Sequence, residues 1–440
     1  MKNGKIEQPP FKFEVNKFDV ASNIKYIFEY KATDEKGRYL YWDELKYRTK
    51  EGDDPHIAWW ATKFNRMSKI KFLPLKDKKG KSFTYSTPDA LEAKLFNIAQ
   101  YHIAPKNGIK NEYLISSLIL EEAISSSQLE GAATTRKVAK DMLLNEKKPK
   151  SEDEWMIINN YMLLKEVKSR KDEELSLGFI KKLHKIATSH TTHNNVNPGE
   201  FRDNNEIYIG DYDNNILFEP PQFCEIEARL EELASFANYN HNSSNGDIFI
   251  NPIVKGIILH FMIGFIHPFN DGNGRVARAL FYWYMLKSGF EYFEYVSISG
   301  LLKNAPVQYA KSYLYSESDD NDLTYFIAYQ IDIIARAIEK LNEYMEHKSK
   351  EISDTIGLLK RSKYNNLLNL PQNYILQDAI KEAGKIFTTR EISNKYNISE
   401  NSARKYLNQL SEYKLLQTSK MGRITIYIST NDIKERLAIK

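Results

Sequence analysis

Between His267 and Arg278 the chain reads His-Pro-Phe-Asn-Asp-Gly-Asn-Gly-Arg-Val-Ala-Arg. One imidazole, one carboxylate, two glycines, two asparagines and two arginines fall within twelve positions. Such a set could take a proton from an attacking hydroxyl and grip a polyphosphate. His267 is the natural general base, because imidazole titrates near neutral pH. Asp271 offers hard oxygens suited to one Mg2+ that also binds phosphate oxygens. Gly272 and Gly274 let backbone N–H groups approach an anion with no Cβ in the way. They open a helix whose positive end favours negative charge. Asn273 adds an amide donor inside that cradle. Arg275 and Arg278, three apart, share a helix face and offer forked donors to successive phosphates. Pro268 and Phe269 would fix the backbone and pack the histidine against the core. A lone Gly-x-Gly before a helix is common, and a lone histidine is more often a core residue. The joint pattern is what points to a nucleotide site.

Such a loop needs rigid supports, and apolar helical runs flank it at Ile253–Ile266 and Ala279–Leu286. The expected fold class is mainly α. Helical periodicity holds from about Asn111 to Lys350, a core of residues 111–350. Leu114, Ile115, Leu118 and Ile119 mark a helix over 114–131, stopped by Gly131. Further helices fit Glu152–Ser169, Ser176–Ser189, Gln222–Tyr239, Asn251–Ile266, Arg275–Ser288 and Leu323–Lys348. Asn194–Pro221 is a long polar loop with strand-like stretches at Glu206–Ile209 and Ile216–Phe218; a loop of that length in a helical domain is usually functional. Residues 1–110 read as a mixed α/β region, with aromatic clusters at Tyr26–Phe28 and Tyr39–Trp42 and turn chemistry at Glu51–Pro55. Residues 351–371 read as a connector.

The tail, 372–440, has a recognisable order. A helix over Tyr374–Ala383 precedes a short one at Arg390–Lys395, capped by Thr389. Asn397 turns the chain, and Ser399 caps a second helix through Leu410. Strand-like runs follow at Leu415–Thr418 and Ile424–Ser429. This is the layout of a winged helix-turn-helix.

Lys and Arg number 62 against 58 Asp and Glu, a net of +4, so the whole chain is not a polycation that coats nucleic acid. Residues 385–440 nevertheless carry eleven basic against five acidic side chains, a local excess of six. Cys224 stands alone, which excludes an internal disulfide and fits a reducing compartment. The first twenty residues lack an apolar core, so no signal peptide is expected. The longest apolar run is interrupted by Lys255 and His260 and meets Pro268, too soon for a membrane span. A cytoplasmic location is expected.

The string His267–Arg278 matches the signature of the Fic (Fic/Doc) family at every defined position, and the resemblance covers roughly residues 111–345. It implies a Fic-type helical core with a β-hairpin flap, and transfer of AMP from ATP to a Ser, Thr or Tyr hydroxyl of a target protein. His267 would deprotonate that hydroxyl. Asp271 would hold Mg2+ between the α- and β-phosphates. The implied ATP-binding run is Gly272, Asn273, Gly274, Arg275, Val276, Ala277 and Arg278, with the two arginines on the β- and γ-phosphates.

Ser126, Glu130 and Gly131 resemble the family's inhibitory motif, placed here on the N-terminal side of the core. The resemblance implies that Glu130 pairs with Arg278 and takes the seat of the γ-phosphate. In some relatives the same glutamate activates water to remove AMP. Pro198–Arg202 resembles the segment leading to the flap, and Ile216, Leu217 and Phe218 the flap that pairs with an extended target segment. Tyr309 falls where the family often has an aromatic near the nucleotide, although a core tyrosine is the plainer reading. A homodimer is implied by the resemblance alone.

Asn401, Ser402, Arg404, Lys405 and Asn408 on the second tail helix, with Lys420 and Arg423 on the wing, could meet DNA. Winged helices on enzymes also serve as protein-docking modules. Two readings therefore stand: an auto-inhibited protein adenylyltransferase, and a DNA-binding regulator with a nucleotide-sensing core. A third keeps the fold but transfers phosphate or phosphocholine; the intact Gly-Asn-Gly-Arg-x-x-Arg argues against the phosphate-transferring branch.

Overall fold

A computed structural model describes residues 6–101, 118–191, 196–210, 215–244, 248–360, 362, 364, 367–382, 384–422, 424–430 and 432–438. At its centre two helices run into and out of the loop 267–272. The first, Pro252–Ile266, starts at Asn251, whose side chain accepts from the Ile253 N–H at 2.9 Å, with proline at the first helical position. It is apolar nearly all round, so it must be a core helix, and all but two of its residues are buried. The second, Asn273–Lys287, buries thirteen of its residues, among them Phe281, Trp283 and Leu280.

Counting along the chain, the N-terminal region contributes α1 (Ile24–Glu29), α2 (Trp42–Leu45), α3 (Pro55–Met67), the antiparallel hairpin β1 (Lys71–Lys76) and β2 (Ser82–Tyr85), and α4 (Asp89–Ala99). It shares the main apolar core and is pinned to it by buried polar contacts. Lys63 Nζ donates to Asp319 at 2.7 Å, the Tyr39 hydroxyl to Asp322 at 2.6 Å, and Arg66 Nη1 to the Tyr325 hydroxyl at 2.8 Å. Around the central pair lie α5 (Leu118–Leu129), α6 (Arg136–Leu144), α7 (Glu152–Ser169), α8 (Leu177–Thr188) and α9 (Ile226–Asn238). The two central helices are α10 and α11; α12 (Ser299–Leu302), α13 (Pro306–Ser318) and α14 (Thr324–Lys360) complete the body. Between α8 and α9 a small antiparallel hairpin joins β3 (Ile209–Gly210) to β4 (Ile216–Phe218).

The long helices fall where the periodicity placed them, α7 to the residue. Two departures are instructive. The helix expected to end at Lys348 continues as α14 to Lys360, across the start of the expected connector. Glu351 holds that extension, accepting from Lys348, Gln377 and Lys381. The short helices α6 and α12, and the longer α13, were not anticipated. Leu114, Ile115 and the start of the expected helix 114–131 lie outside the described residues.

The tail folds as α15 (Leu370–Lys381), β5 (Ile386–Thr388), α16 (Thr389–Tyr396), α17 (Glu400–Glu412), β6 (Leu416–Met421), β7 (Ile424–Ser429) and α18 (Ile433–Ala438). Its strands form one antiparallel sheet in the order β5-β7-β6. The extended stretch paired with β7 ends at Thr388, so the helix begins one residue earlier than expected. Thr388, not Thr389, then caps α16, accepting from the Glu391 N–H at 3.0 Å. Asn397 turns the chain in the left-handed region and Ser399 caps α17 as expected. Asn401, Arg404, Lys405 and Asn408 are exposed on α17, Ser402 is half-buried, and Lys420 is exposed on β6. Arg423 lies outside the described residues.

Candidate active site

α10 ends on His267, whose backbone is left-handed at φ 48° and ψ 58°. A residue with a Cβ pays roughly 1–2 kcal/mol for that conformation, so the surroundings must impose it. Arg202 does so: its Nε donates to the His267 carbonyl at 2.9 Å and its N–H to the Pro268 carbonyl at 2.9 Å. The ring is also fixed. Nδ1 stands 3.3 Å from the Gly264 carbonyl, which can only accept, so Nδ1 carries the proton and Nε2 keeps its lone pair. Burial pushes the pKa of His267 below the ordinary histidine value; the Gly264 carbonyl opposes that and the Arg202 charge adds to it. The imidazole is therefore neutral at neutral pH, with its basic nitrogen free.

α11 starts just after Gly272, whose φ is 80°. A Cβ there would also stand 2.8 Å from Thr188 Cγ2. Gly272→Ala is expected to lower stability by about 2–4 kcal/mol, from the backbone strain and the contact together. The urea midpoint should fall with an unchanged slope; a loss below about 1 kcal/mol would mean the loop re-forms freely.

The first backbone bond within α11 runs from the Val276 N–H to the Gly272 carbonyl at 3.0 Å. The N–H groups of Asn273, Gly274 and Arg275 therefore precede the helical ladder and form the anion cradle. Glu130 fills it. Its Oε1 rests against the bare Cα of Gly274, where a Cβ would collide with it. The same oxygen lies 2.9 Å from Arg278 Nη1, an ion pair whose N–H direction is off a hydrogen-bond line. Arg278 is held elsewhere by Ser126: Nε and Nη2 donate to its Oγ at 3.0 and 2.9 Å, and Nη2 also to its carbonyl at 3.2 Å. Burial lowers the pKa of Arg278, but Glu130, Tyr309 and Glu122 together outweigh it and the net shift is upward. Gly131, at φ 103°, ends the segment that delivers Glu130.

Four expected ligands have other duties. The Asn273 side chain does not face an anion: it closes the loop on itself, donating to the Phe269 carbonyl at 2.7 Å and accepting from the Phe269 N–H at 3.0 Å. Only its backbone N–H is left for the cradle. Arg275 does not share a grip with Arg278, because its guanidinium is buried between the Ala187 carbonyl at 2.6 Å and Asp271 Oδ2 at 3.0 Å. It orients Asp271. Val276 and Ala277 are core residues, 0% and 1% exposed, and Val276 has already spent its N–H. Their contribution is packing.

Asp271 is the one carboxylate of the loop, and among the described residues no three His, Cys, Asp or Glu side chains converge on a metal site. A single partly exposed carboxylate fits Mg2+ only as an ion whose other ligands are phosphate oxygens and water.

Sequence reasoning missed His184. Its ring stacks on Phe269 with centroids 3.7 Å apart and planes 4° apart. Nδ1 accepts the Gly199 N–H at 2.9 Å, so Nε2 carries the proton and donates to the Asp271 carbonyl at 3.0 Å. Burial lowers its pKa to about 4, which keeps it in that neutral form. One histidine thus joins α8, the turn at Gly199 and the anion loop. Its only sequence signal was position on a buried helix face. Tyr309, read as a core tyrosine, lies half-buried with its hydroxyl 2.8 Å from His260 Nε2, close enough to Arg278 to influence its charge.

The hairpin β3–β4 lies beside α10. Phe218 packs on Phe265 with ring centroids 5.4 Å apart, while Ile216 is 55% exposed. Residues 211–214 of its turn lie outside the described residues.

Residues 174–285 match the Fic/DOC family. The protein adenylyltransferase Fic of Drosophila virilis is 28% identical over 117 residues, covering 27% of this chain and 21% of that protein. The protein adenylyltransferase fic-1 of Caenorhabditis briggsae is 30% identical over 124 residues, covering 28% and 21%. The match thus spans about a fifth of the length of these curated relatives. Among solved structures, Fic-1 from Caenorhabditis elegans aligns over 74% of this chain and 83% of that one, at 15% identity and a TM-score of 0.48. A Fic family protein from Desulfovibrio desulfuricans G20 aligns over 77% and 94%, at 15% identity and a TM-score of 0.47. Over residues 174–285, then, this chain carries a domain of the Fic/DOC family.

Proposed function

We propose that the protein is an adenylyltransferase that moves AMP from ATP to a Ser, Thr or Tyr hydroxyl of a target protein and is held in check by its own Glu130. The observation that carries this reading is the seat of the Glu130 carboxylate. A negative group already lies on Gly274 and Arg278, which is where a terminal phosphate would lie. With that carboxylate withdrawn, Arg278 and the free N–H groups of α11 would receive the β- and γ-phosphates, leaving the α-phosphorus beside the imidazole.

His267 Nε2 would take the proton of the target hydroxyl as its oxygen bonds to the α-phosphorus. The bond from that phosphorus to the β-phosphate bridging oxygen breaks, and pyrophosphate leaves with its electron pair. Backbone N–H groups and Arg278 stabilise charge that grows in the transition state, the main source of rate in phosphoryl transfer. Asp271 would hold Mg2+, which when bound neutralises phosphate charge. The hairpin β3–β4 would align an extended target segment, with Ile216, Leu217 and Phe218 as its edge. Glu130 would also accept a proton from a water attacking an AMP ester, the chemistry of AMP removal.

ATP labelled in parallel at the α- and γ-phosphates tests the reaction type. Label on protein from the α-position alone supports AMP transfer. Label from the γ-position would make the protein a phosphotransferase and sink the reading.

A further inference from the structure

α6 stands between the Glu130-bearing segment and the tail. On one side Glu121 of α5 pairs with Arg136 at 2.7 Å and Lys140 at 2.5 Å. Ile124 of α5 packs with Ala139 and Met142 of α6 and Ile157 of α7 in a small apolar cluster of its own. On the other side the turn 144–146 is gripped by α16. Asn394 Nδ2 donates to the Leu144 carbonyl at 2.9 Å and to Glu146 Oε1 at 3.0 Å. The Thr388 hydroxyl donates to Asn145 Oδ1 at 2.7 Å, and Arg390 Nε lies 3.6 Å from Glu146 Oε2. Glu146 itself is left-handed, at φ 50°, a conformation these contacts hold.

Among the described residues, the hydrogen bonds and ion pairs between the tail and α6 lie at this end. Along the rest of the helix a cleft of about 1370 Å³ separates Lys137 and Lys140 from Arg404 and Tyr427. The contact is thus small, polar and water-accessible, the kind that opens without breaking a core. α6 has few other supports, and it buttresses the helix whose last turn delivers Glu130.

We propose that α16 is a strut: by gripping residues 144–146 it holds α6 against α5 and so keeps Glu130 on Arg278. Opening the strut releases the inhibitory carboxylate, which makes the tail the place where a signal would reach the site. The inference rests on the reading of Glu130 as inhibitory.

Asn394→Asp combined with Arg390→Glu sets carboxylates against Glu146 and the Leu144 carbonyl, with little change of shape. In the full chain this variant should raise α-label transfer about fivefold, the lower range of ordinary coupling between sites. In a Glu130→Gly background it should change nothing, because the released group is already gone. Hydrogen exchange of the α5 and α6 amides should quicken while that of α10 stays fixed, which distinguishes an open strut from a misfolded chain. Where Glu130→Gly does transfer label, unchanged transfer by the strut variant overturns the proposal whether or not exchange quickens, and so does an equal rise in both backgrounds. Should Glu130→Gly label nothing, the functional reading fails; the strut itself is then still judged by exchange in α5, and unaltered exchange there refutes it.

Discussion

Glu130→Gly should raise the initial rate of AMP transfer by about 100-fold. Removing one member of a buried ion pair typically shifts an equilibrium by about 3 kcal/mol or more, two powers of ten in rate where that pair blocks the productive pose. The Glu130 side chain is 25% exposed and that of Arg278 only 2%, so the carboxylate can leave towards solvent while the guanidinium stays. Ser126 continues to hold Nε and Nη2, leaving Nη1 for a phosphate. Glu130→Gln keeps the shape and loses the charge, so it should fall between wild type and glycine. Equal rates for all three, in variants that melt alike, would remove the inhibitory role.

His267→Ala in the Glu130→Gly background should lower the transfer rate by about 1000-fold, the usual range for losing a general base. The KM for ATP should stay within about twofold, because no phosphate contact is lost. His267→Gln, which keeps a hydrogen-bonding side chain, guards against a folding explanation. The pH profile offers an independent check. A base must be unprotonated, and burial depresses the pKa of this ring, so the active form persists below the ordinary value of about 6.5. The rate should hold its plateau through pH 6.5 and fall only as the pH drops through the depressed pKa. An acid limb centred above 6.5 would contradict the buried, neutral imidazole.

Much of this was legible because the signals were local. Caps and periodicity placed α7, α10 and α11 to within a residue or two, and the His267–Arg278 string marked the loop between them. Glu130 and Arg278, separated by about 150 positions, were brought together as the resemblance implied. The failures share a cause. Arg275 and Asn273 have side chains suited to phosphate, and only the fold shows that a carbonyl of α8 and the Phe269 backbone claim them first. His184 was invisible because its partners, Gly199 N–H and the Asp271 carbonyl, are backbone groups that leave no trace in residue type. The short helices α6 and α12 carry too few turns for a periodic pattern, and the extension of α14 depends on Glu351 meeting Lys381 from another helix.

Arg202 has a last consequence. Beyond its two bonds to the His267 and Pro268 carbonyls, it donates to the Pro221 carbonyl at the foot of the β3–β4 hairpin. The foot of the hairpin and the backbone of His267 are thereby fastened to a single guanidinium. On the proposed reading, an acceptor strand laid along Ile216–Phe218 meets a ruler whose zero mark is fixed. Sliding that strand by two residues carries its side chains about 6.6 Å past the imidazole. Which hydroxyl is chosen then becomes a matter of alignment along the hairpin, and a bulge or insertion there would redirect the modification to a neighbouring residue without slowing the chemistry.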